Sequence, residues 1–310
     1  MPARCMDSQT NRTTMTRCLQ TTGQGYFEEV TYDNPDLGNT DIFVKAIMTG
    51  VCRSDIDMML GDFGPLPLSM QGHEGVAQVV SIGSGVTNIV VGDFVATRGE
   101  PAYADYYNVR ENEYVWIPEA HPRYIIEPVA CGINIVSQAY EQIKDRQHDN
   151  IVILGSGFLA WVAFHKLSLM WPGITVDVIG SSNSDLWGNR LSSSSTKSYD
   201  VVIDLSGKYE LGADISLNNN ALIIDGVGKT INKNEAQQQL WKACTTIRPS
   251  PRNPNFHRRM SDAVWMIETG HINVDKFWTK CYNRNTEWQQ AFADGKDRPS
   301  GYNRGYIKWD

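Results

Sequence analysis

Short apolar runs separated by turn residues dominate the first third of the chain. Beyond residue 27, β-type runs cover residues 42–47, 75–82 and 89–95. Gly83-Ser84-Gly85 and Gly92-Asp93 are typical of turns, because glycine accepts a positive φ without a Cβ clash. Since the runs are short and divided by turns, the pattern predicts a small β-barrel-like domain.

The pattern changes near residue 150. A largely apolar run, 150–154, is followed by Gly155-Ser156-Gly157 and a helical stretch, 158–170, as expected for a buried parallel strand that leads into a helix. Further apolar runs cover 174–179, 201–205 and 221–225, and a helix is predicted over 261–270 with Ser261 as its N-cap. The alternation of strands and helices predicts an α/β fold with a doubly wound parallel sheet.

Length and composition exclude several functional classes. The chain has 310 residues, enough for about two domains, with 41% apolar and 20% charged residues. No apolar stretch reaches the roughly 18 residues of a membrane span. The net charge is -7, so the chain has no excess of positive charge to neutralise the phosphates of a nucleic acid. We therefore expect no membrane and no nucleic acid as partners, but a small molecule.

Cysteine spacing and the N-terminal segment bear on the compartment. The six cysteines include no close pair, so we expect a reducing, intracellular setting and a cytoplasmic protein. Residues 1–14 are polar, lack the apolar core of a secretory signal, and are predicted to be a flexible tail. An organelle transit peptide and translation from Met15 are the alternatives.

A dinucleotide fingerprint lies at the predicted strand-to-helix turn. It reads Gly155-x-Gly157-x-x-Ala160, with alanine in the third glycine position. The first glycine allows the tight turn, and the second lets backbone N–H groups approach a pyrophosphate at the helix N-terminus. We expect Gly155, Gly157 and the first helical residues, Phe158 and Leu159, to bind the cofactor.

The end of the next strand bears on the choice of cofactor. NAD-binding proteins usually carry an acid there for the ribose hydroxyls, whereas this chain has Gly180, Ser181 and Ser182. With Arg190 and Lys197 nearby in sequence, these hydroxyls favour NADP. The alternative is that Asp177 or Asp185 contacts the ribose and NAD binds instead.

Cys52 and His73 are candidate metal ligands. Cys52 lies in Gly50-Val51-Cys52-Arg53-Ser54-Asp55, and His73 follows in Gly72-His73-Glu74-Gly75. Taken singly, each is more often a core residue, but thiolate and imidazole are the ligand types that zinc prefers. Placed together ahead of a dinucleotide fingerprint, they resemble the zinc-dependent medium-chain alcohol dehydrogenase family, over about residues 16–309.

The resemblance implies roles for individual residues. Cys52 and His73 would bind one catalytic zinc, and Glu74 would be an occasional further ligand. Asp55 would orient the zinc-bound histidine, Arg53 would hold the cofactor pyrophosphate, and Ser54 would pass the substrate proton outward. Asp57 stands where many relatives carry a relay histidine, so the proton could leave through Asp57, the ribose or water.

The third zinc ligand has two candidates in Glu127-Pro128-Val129-Ala130-Cys131. Glu127 corresponds to the ligand of the polyol dehydrogenase branch, and Cys131 to that of the ethanol-type branch. The Glu-Pro pair favours Glu127 and weakly suggests a hydroxylated substrate such as a sugar alcohol. The four-cysteine loop that binds a structural zinc in many relatives is absent from the sequence, so we expect no second zinc.

The resemblance also implies the domain organisation. It predicts a GroES-like β-barrel-type catalytic domain, residues 15–130 and 257–310, and a Rossmann cofactor domain, residues 131–256. Only about twenty residues separate Gly180 from the strand at residue 201, so the cofactor domain is expected to be trimmed. A homodimer or homotetramer is expected by analogy.

The resemblance, together with the dinucleotide fingerprint, implies an NAD(P)-dependent alcohol dehydrogenase or carbonyl reductase. One alternative is a zinc-free quinone or alkene reductase of the same superfamily. The other is a non-catalytic nucleotide-binding relative. Phe63, Tyr103, Trp265 and Phe277 are candidates for a substrate pocket, although aromatic residues are more often core.

Overall fold

The computed structural model describes residues 15–62, 64, 69–146, 149–207, 215–227, 244–250 and 252–309. The predicted tail, 1–14, and Phe63 lie outside these residues. The strands are β1 (Met15–Thr21), β2 (Glu28–Asp33), β3 (Ile42–Gly50), β4 (Ser69–Met70), β5 (Gly75–Ile82), β6 (Phe94–Thr97), β7 (Tyr106–Val109), β8 (Tyr114–Ile117), β9 (Ile151–Leu154), β10 (Val176–Ile179), β11 (Leu191–Ser192), β12 (Ser198–Asp204), β13 (Ser216–Asp225), β14 (Thr245–Ile247), β15 (Trp278–Asn283) and β16 (Arg304–Lys308).

Helices connect and flank these strands. The α-helices are α1 (Arg53–Met59), α2 (Glu127–Gln138), α3 (Tyr140–Ile143), α4 (Phe158–Met170), α5 (Ser184–Trp187), α6 (Phe256–Glu268) and α7 (Trp288–Asp297). Single turns of 3₁₀ helix cover Glu111–Glu113, Pro122–Tyr124, Gly188–Arg190 and Asp275–Phe277. No helix in the described part of the chain is long and apolar enough to cross a membrane.

The first compact unit contains the described residues up to Glu127 and those from Asp275 onward. Its larger sheet has the order β15-β16-β3-β5-β6-β8, with β7 also paired to β3. All these pairs are antiparallel except β15 with β16. A smaller antiparallel sheet, β2-β1-β4, accompanies it. The short apolar runs predicted a small β-barrel-like domain, and the two sheets form a β domain in this part of the chain.

Two predicted strands of this unit show where the apolar pattern succeeds and fails. The run at 75–82 is β5, as predicted. The run at 89–95 was predicted as one strand, but β6 begins only at Phe94. Asp93 accepts a hydrogen bond from the Val90 N–H, and its own N–H donates to the Val90 carbonyl, so these residues form a turn in which Val90 and Val91 are exposed. The β-branched residues there do not extend the strand.

The second compact unit, residues 128–274, contains a six-stranded sheet. Its order is β11-β10-β9-β12-β13-β14, and every pair is parallel. This is the 3-2-1-4-5-6 order of the doubly wound dinucleotide-binding fold. All four residues of the central strand β9 are buried, as expected for a parallel strand covered on both faces.

The predicted trimming of this unit lies between β10 and β12. In that interval the chain forms only the four-residue helix α5, one 3₁₀ turn and the two-residue strand β11. The connection is short, yet β11 still pairs with β10 in parallel. The trimming therefore shortens an edge element and leaves the strand order complete.

Helix α6 differs from its predicted bounds. The prediction placed the N-cap at Ser261, but the helix begins at Phe256, and the Ser261 hydroxyl donates to the His257 carbonyl one turn earlier. Serine can form this bond inside a helix, so it did not mark the start. Gly270, with φ of +72°, follows the helix end as predicted. Residues 257–274, predicted in the first domain, lie in the second unit.

Candidate active site

Cys52 occupies the junction between the end of β3 and the first turn of α1. It is the N-cap residue of α1, with extended backbone, and its N–H donates to Oδ2 of Asp55 at 3.2 Å. The Ser54 hydroxyl donates to the Cys52 sulfur at 3.2 Å. These bonds fix both the backbone and the thiol of Cys52.

His73 and Glu74 approach Cys52 from the start of β5. One ligand atom each of Cys52, His73 and Glu74 lies within 4.8 Å of the others. Gly72 has φ of +92°, and a Cβ there would lie 2.6 Å from the Tyr103 ring. Only glycine therefore lets the segment turn His73 toward Cys52 while Tyr103 packs against its backbone.

Asp55 is a fully buried carboxylate at the centre of the cluster. Its Oδ1 lies 3.3 Å from Nδ1 of His73, and its Oδ2 accepts a hydrogen bond from the Tyr103 hydroxyl at 2.7 Å. A carboxylate on one imidazole nitrogen fixes the tautomer and orients the other nitrogen toward a metal. The distance between Asp55 and His73 is compatible with the orienting role that the family resemblance implies for Asp55.

Glu74 is also fully buried, and its partner comes from the far end of the chain. Nη2 of Arg304, on β16, donates to Oε1 of Glu74 at 2.6 Å and contacts Oε2 as well. A Cβ at Gly50 would overlap the Glu74 carboxylate, so glycine is needed beside it. Arg304 supplies the charge that a buried carboxylate requires.

The electrostatics of the cluster favour protons in the absence of a cation. Burial and the nearby Glu74 raise the pKa of the Cys52 thiol, although His73 acts in the opposite direction. Burial alone would lower the pKa of His73, but Asp55 and Cys52 outweigh it and raise that pKa well above its usual value. A metal ion would compete with protons for these atoms.

The donor set fits a zinc ion. Thiolate sulfur, imidazole nitrogen and carboxylate oxygen are its protein ligands, and the three groups lie close enough together to share one ion. The imidazole is already held on its Nδ1 side by Asp55, which leaves Nε2 as the ligating atom. This fit rests on the side chains alone.

The two predicted candidates for the third ligand lie outside that group. Among the described residues, the only cluster with metal-ligand spacing contains Glu74 and neither Glu127 nor Cys131. Glu127 is buried at the start of α2, with Oε1 3.9 Å from Nε of Arg98. Cys131 is half-buried on α2 in the second unit. The sequence could not separate the two because they lie one turn apart on one helix.

The remaining predicted residues of this unit lie on α1. Arg53 forms an ion pair with Asp57, with Nε 2.7 Å from Oδ1. The Ser54 hydroxyl is hydrogen-bonded to the Cys52 sulfur. The structure therefore places Ser54 next to the candidate metal ligand Cys52, and it pairs Arg53 with Asp57.

The glycine-rich turn of the second unit follows β9 directly. Gly155 has φ of +101°, and Gly157 is the N-cap of α4. Ser156 between them is buried, and its hydroxyl accepts a hydrogen bond from the Ser182 N–H at 3.0 Å. The turn has the tight form that a pyrophosphate-binding loop requires.

The segment after β10 is tied to this turn through the Ser156 carbonyl. Asn183 Nδ2 donates to that oxygen at 2.9 Å, and the buried Trp187 indole N–H donates to it at 3.0 Å. Ser181 and Ser182 are exposed beside the turn. The loop predicted to hold the pyrophosphate and the loop predicted to read the ribose are therefore one hydrogen-bonded unit.

Of the charged residues predicted near the ribose, two are paired with each other and the other two are not. Lys197 forms an ion pair with Asp177 at 2.7 Å, and Tyr199 also donates to that carboxylate. Asp177 is thus engaged within the sheet. The Arg190 guanidinium lies over the Phe164 ring, 5.4 Å from its centroid, and forms no ion pair with any described residue. Asp185 is exposed on α5.

Sequence reasoning missed three residues that organise these sites. Arg304 is 230 positions from Glu74 in the sequence, so no local pattern could predict that the two residues pair. Trp187 belongs to none of the motifs identified in the sequence. Tyr103 was weighed only as a pocket or core aromatic, and both it and Phe277 are buried, whereas Trp265 is exposed.

Comparison with known proteins adds an independent line of observation. Residues 38–120 match the family model described as the alcohol dehydrogenase GroES-like domain. The chain is 25% identical over 317 aligned positions to D-arabitol-phosphate dehydrogenase from Enterococcus avium. This alignment covers 83% of this chain and 87% of that protein. It is 42% identical over 76 residues to a probable cinnamyl alcohol dehydrogenase from Populus deltoides, a match that spans 24% of this chain and 21% of that protein.

A solved structure shows the same fold along the chain. A putative zinc-binding dehydrogenase from Sinorhizobium meliloti 1021, bound to NADP, superposes with a TM-score of 0.71 and 19% identity, over 96% of this chain and all of the other. At this identity the likeness establishes the two-domain fold.

Proposed function

We propose that this chain is a zinc-dependent oxidoreductase of the medium-chain alcohol dehydrogenase family, which transfers a hydride between an alcohol, or its carbonyl product, and a nicotinamide cofactor. The match of residues 38–120 to the GroES-like domain and the similarity to D-arabitol-phosphate dehydrogenase along most of the chain support this proposal. The observation that carries the proposal is the convergence of Cys52, His73 and Glu74 within 4.8 Å. These three donors lie in the first unit, beside an acid that already holds the histidine.

Cys52 and His73 are the proposed zinc ligands. Zinc bound there would act as a Lewis acid and lower the pKa of a substrate hydroxyl by several units. Glu74 is the nearest third donor, although its bond to Arg304 competes with ligation. Glu127 is the alternative that the sequence predicts, and its ion pair with Arg98 is longer, at 3.9 Å.

Ser54 and Asp57 are the proposed route for the substrate proton. The Ser54 hydroxyl donates its one proton to the Cys52 sulfur in this structure. In the proposed relay, its oxygen would accept the substrate proton on a lone pair while the hydroxyl proton leaves the sulfur for the next acceptor. Asp57, three residues further along α1, lies on the neighbouring part of the same helix face and would receive the proton next. Arg53 holds the Asp57 carboxylate in place.

The second unit is proposed to bind NADP in preference to NAD. Backbone N–H groups at Gly155, Gly157 and the first turn of α4 would hold the pyrophosphate. Ser181 and Ser182 offer exposed hydroxyls where an acid would repel a 2′-phosphate, and Arg190 is a cation without an ion-pair partner in the described chain. The Sinorhizobium meliloti relative was crystallised with NADP.

The proposed substrate is a small alcohol or carbonyl compound. The Glu127-Pro128 pair resembles the polyol dehydrogenase branch and therefore favours a substrate with several hydroxyl groups. The named relatives are dehydrogenases of an arabitol phosphate and of cinnamyl alcohol, which leaves the substrate class wide. A homodimer or homotetramer is the expected assembly for the family.

One experiment tests this proposal directly. Zinc content of the purified protein is measured, and a panel of alcohols and carbonyl compounds is assayed with NADPH and NADH, with and without chelator. One zinc per chain and chelator-sensitive turnover are expected. Turnover of quinones or activated alkenes without zinc would replace the proposal by the zinc-free reductase. Absence of turnover of every compound with both nucleotides would leave only the non-catalytic relative.

The third ligand is tested by two matched substitutions, Glu74→Gln and Glu127→Gln. Each removes one buried carboxylate and preserves the side-chain volume. The true ligand is the residue whose substitution lowers zinc affinity more strongly in a competition assay with a chromophoric chelator.

A further inference from the structure

The orienting carboxylate Asp55 has a second anchor besides the metal cluster. We propose that Tyr103 is a positioning residue for the metal site, because its hydroxyl fixes the orientation in which Asp55 holds His73. The inference deepens the proposed function and rests on the zinc site described above.

The two oxygens of Asp55 have different partners. Oδ2 accepts hydrogen bonds from the Tyr103 hydroxyl at 2.7 Å and from the Cys52 N–H at 3.2 Å. Oδ1 faces Nδ1 of His73 at 3.3 Å. Two donors on Oδ2 prevent the carboxylate from rotating, so Oδ1 stays directed at the imidazole.

The Tyr103 hydroxyl has a choice of acceptors and one proton. The Gly50 carbonyl lies 3.0 Å from it, and Oδ2 of Asp55 lies at 2.7 Å. Hydrogen bonds to an ionised acceptor are shorter and roughly twice as strong as neutral ones, so the proton belongs to the Asp55 bond. Both groups are fully buried, and no bulk water competes there.

Packing holds the Tyr103 ring independently of its hydroxyl. The ring makes edge contacts with Phe27 and Phe292, with centroids 5.9 and 5.3 Å away. The backbone of Tyr103 is held as well, because its N–H donates to the Gln71 carbonyl and its carbonyl accepts a hydrogen bond from the Leu19 N–H. A phenylalanine at this position would keep the ring in place and remove only the hydroxyl, with its bond to Asp55 and its contact with the Gly50 carbonyl.

Tyr107 provides a matched control in the same sheet. It is buried like Tyr103, and its hydroxyl shares a 2.8 Å hydrogen bond with the buried Thr97 hydroxyl. Substitution of either tyrosine by phenylalanine removes one buried hydroxyl from the same core. Only the Tyr103 change removes a contact to the acid that orients His73.

The test compares zinc affinity in the full chain with wild-type sequence, Tyr103→Phe and Tyr107→Phe. Zinc is titrated against a chromophoric chelator, and the thermal unfolding of each apo protein is recorded. We expect Tyr103→Phe to weaken zinc binding about tenfold, within the range seen when groups that support metal ligands are removed. Tyr107→Phe should change it less than about twofold, whatever it does to stability.

A double-variant comparison tests whether Tyr103 acts through Asp55. In an Asp55→Asn background, Tyr103→Phe should produce little further loss of zinc affinity, because the oriented carboxylate is already gone. Equal zinc affinities for Tyr103→Phe and Tyr107→Phe would overturn the inference, as would fully additive losses in the double variant.

The remaining outcomes also decide between the claims. If wild-type protein binds no zinc, the proposed function fails, whereas equal binding by wild type and Tyr103→Phe removes only the positioning role. If apo Tyr103→Phe is unfolded, its refolding midpoint against zinc concentration gives the affinity, because binding is then linked to folding. Failure to fold at any zinc concentration would assign the hydroxyl a purely structural role.

Discussion

The candidate metal site of the first unit and the candidate nucleotide-binding turn of the second are built on different principles. In the cluster, buried charged side chains are paired across long stretches of sequence, as Glu74 is with Arg304 and Asp55 with Tyr103. In the turn, glycine backbone and neutral hydrogen bonds to Ser156 connect residues no more than 31 positions apart. One region depends on exact charge pairing and the other on local backbone shape.

This contrast predicts how each region responds to change. A buried charge that loses its partner carries the full cost of desolvation, so single substitutions in the cluster should have large effects. A turn that shares its neutral bonds among several donors should lose them gradually, and substitutions there should change cofactor affinity by modest factors.

The largest expected effect comes from removal of the metal. Chelation, or Cys52→Ser, should lower kcat/KM by on the order of 10³-fold or more, because zinc supplies several kcal/mol of charge stabilisation. Cofactor affinity should be retained, since the nucleotide turn belongs to the other unit. Steady-state assays before and after chelation, with nucleotide titration followed by tryptophan fluorescence, check both parts. Turnover that survives complete zinc removal contradicts the prediction.

The next effect concerns stability. Arg304→Ala leaves the fully buried Glu74 without its ion-pair partner and should cost about 3 kcal/mol of unfolding free energy, measured by urea denaturation of the apo protein. The double variant Arg304→Met with Glu74→Gln should recover most of this loss, because it removes both charges. Arg17→Ala is the control, since its exposed pair with Asp105 should contribute less than about 1 kcal/mol. Equal losses for the two arginines would contradict the contrast.

The same contrast explains what could be predicted from sequence. The nucleotide turn is local, so the strand and the helix around its glycines could be predicted closely. Helix α4 has its predicted bounds, and β9 begins one residue after the predicted start. Cys52 and His73 could be singled out because their residue types carry chemistry. Arg304 and Tyr103 could not, because their contacts depend on which strands of the sheet become neighbours.

Errors in the predicted elements have a related origin. The run at 89–95 contains β-branched residues, but Asp93 closes a turn that propensity alone does not reveal. Ser261 resembled an N-cap, yet the helix continues through it. Side-chain bonds to nearby backbone decided both cases.

A smaller effect tests the choice of cofactor. Arg190→Ala should weaken NADPH binding roughly tenfold and leave NADH binding nearly unchanged, because a charged hydrogen bond to the 2′-phosphate would be lost. Fluorescence titration with both nucleotides gives the ratio. Lys197→Ala is the matched control, since its ion pair with Asp177 already uses that charge. If Lys197→Ala changes the ratio and Arg190→Ala does not, the roles of the two cations are reversed.

The smallest effect is expected at Trp187, which joins the two cofactor loops. Trp187→Phe keeps an aromatic ring against Trp161 and Phe164 but removes the N–H that donates to the Ser156 carbonyl. Asn183 still donates to the same oxygen, so only one neutral hydrogen bond is lost. Such a bond contributes about 1 kcal/mol, and we expect NADPH and NADH to bind roughly fivefold more weakly.

Because Ser156 belongs to the pyrophosphate turn, the loss from Trp187→Phe should be the same for both nucleotides, in contrast to that of Arg190→Ala. Adding Asn183→Ala also removes the Asn183 amide, which donates to the same carbonyl. The loss should then exceed the sum of the single changes, because the acceptor loses both side-chain donors. Trp116→Phe, at an exposed position in the first unit, controls for the lost fluorophore. A change in the NADPH to NADH ratio with Trp187→Phe would mean that the loop after β10 moves independently of the glycine turn, and the two loops would then not act as one unit.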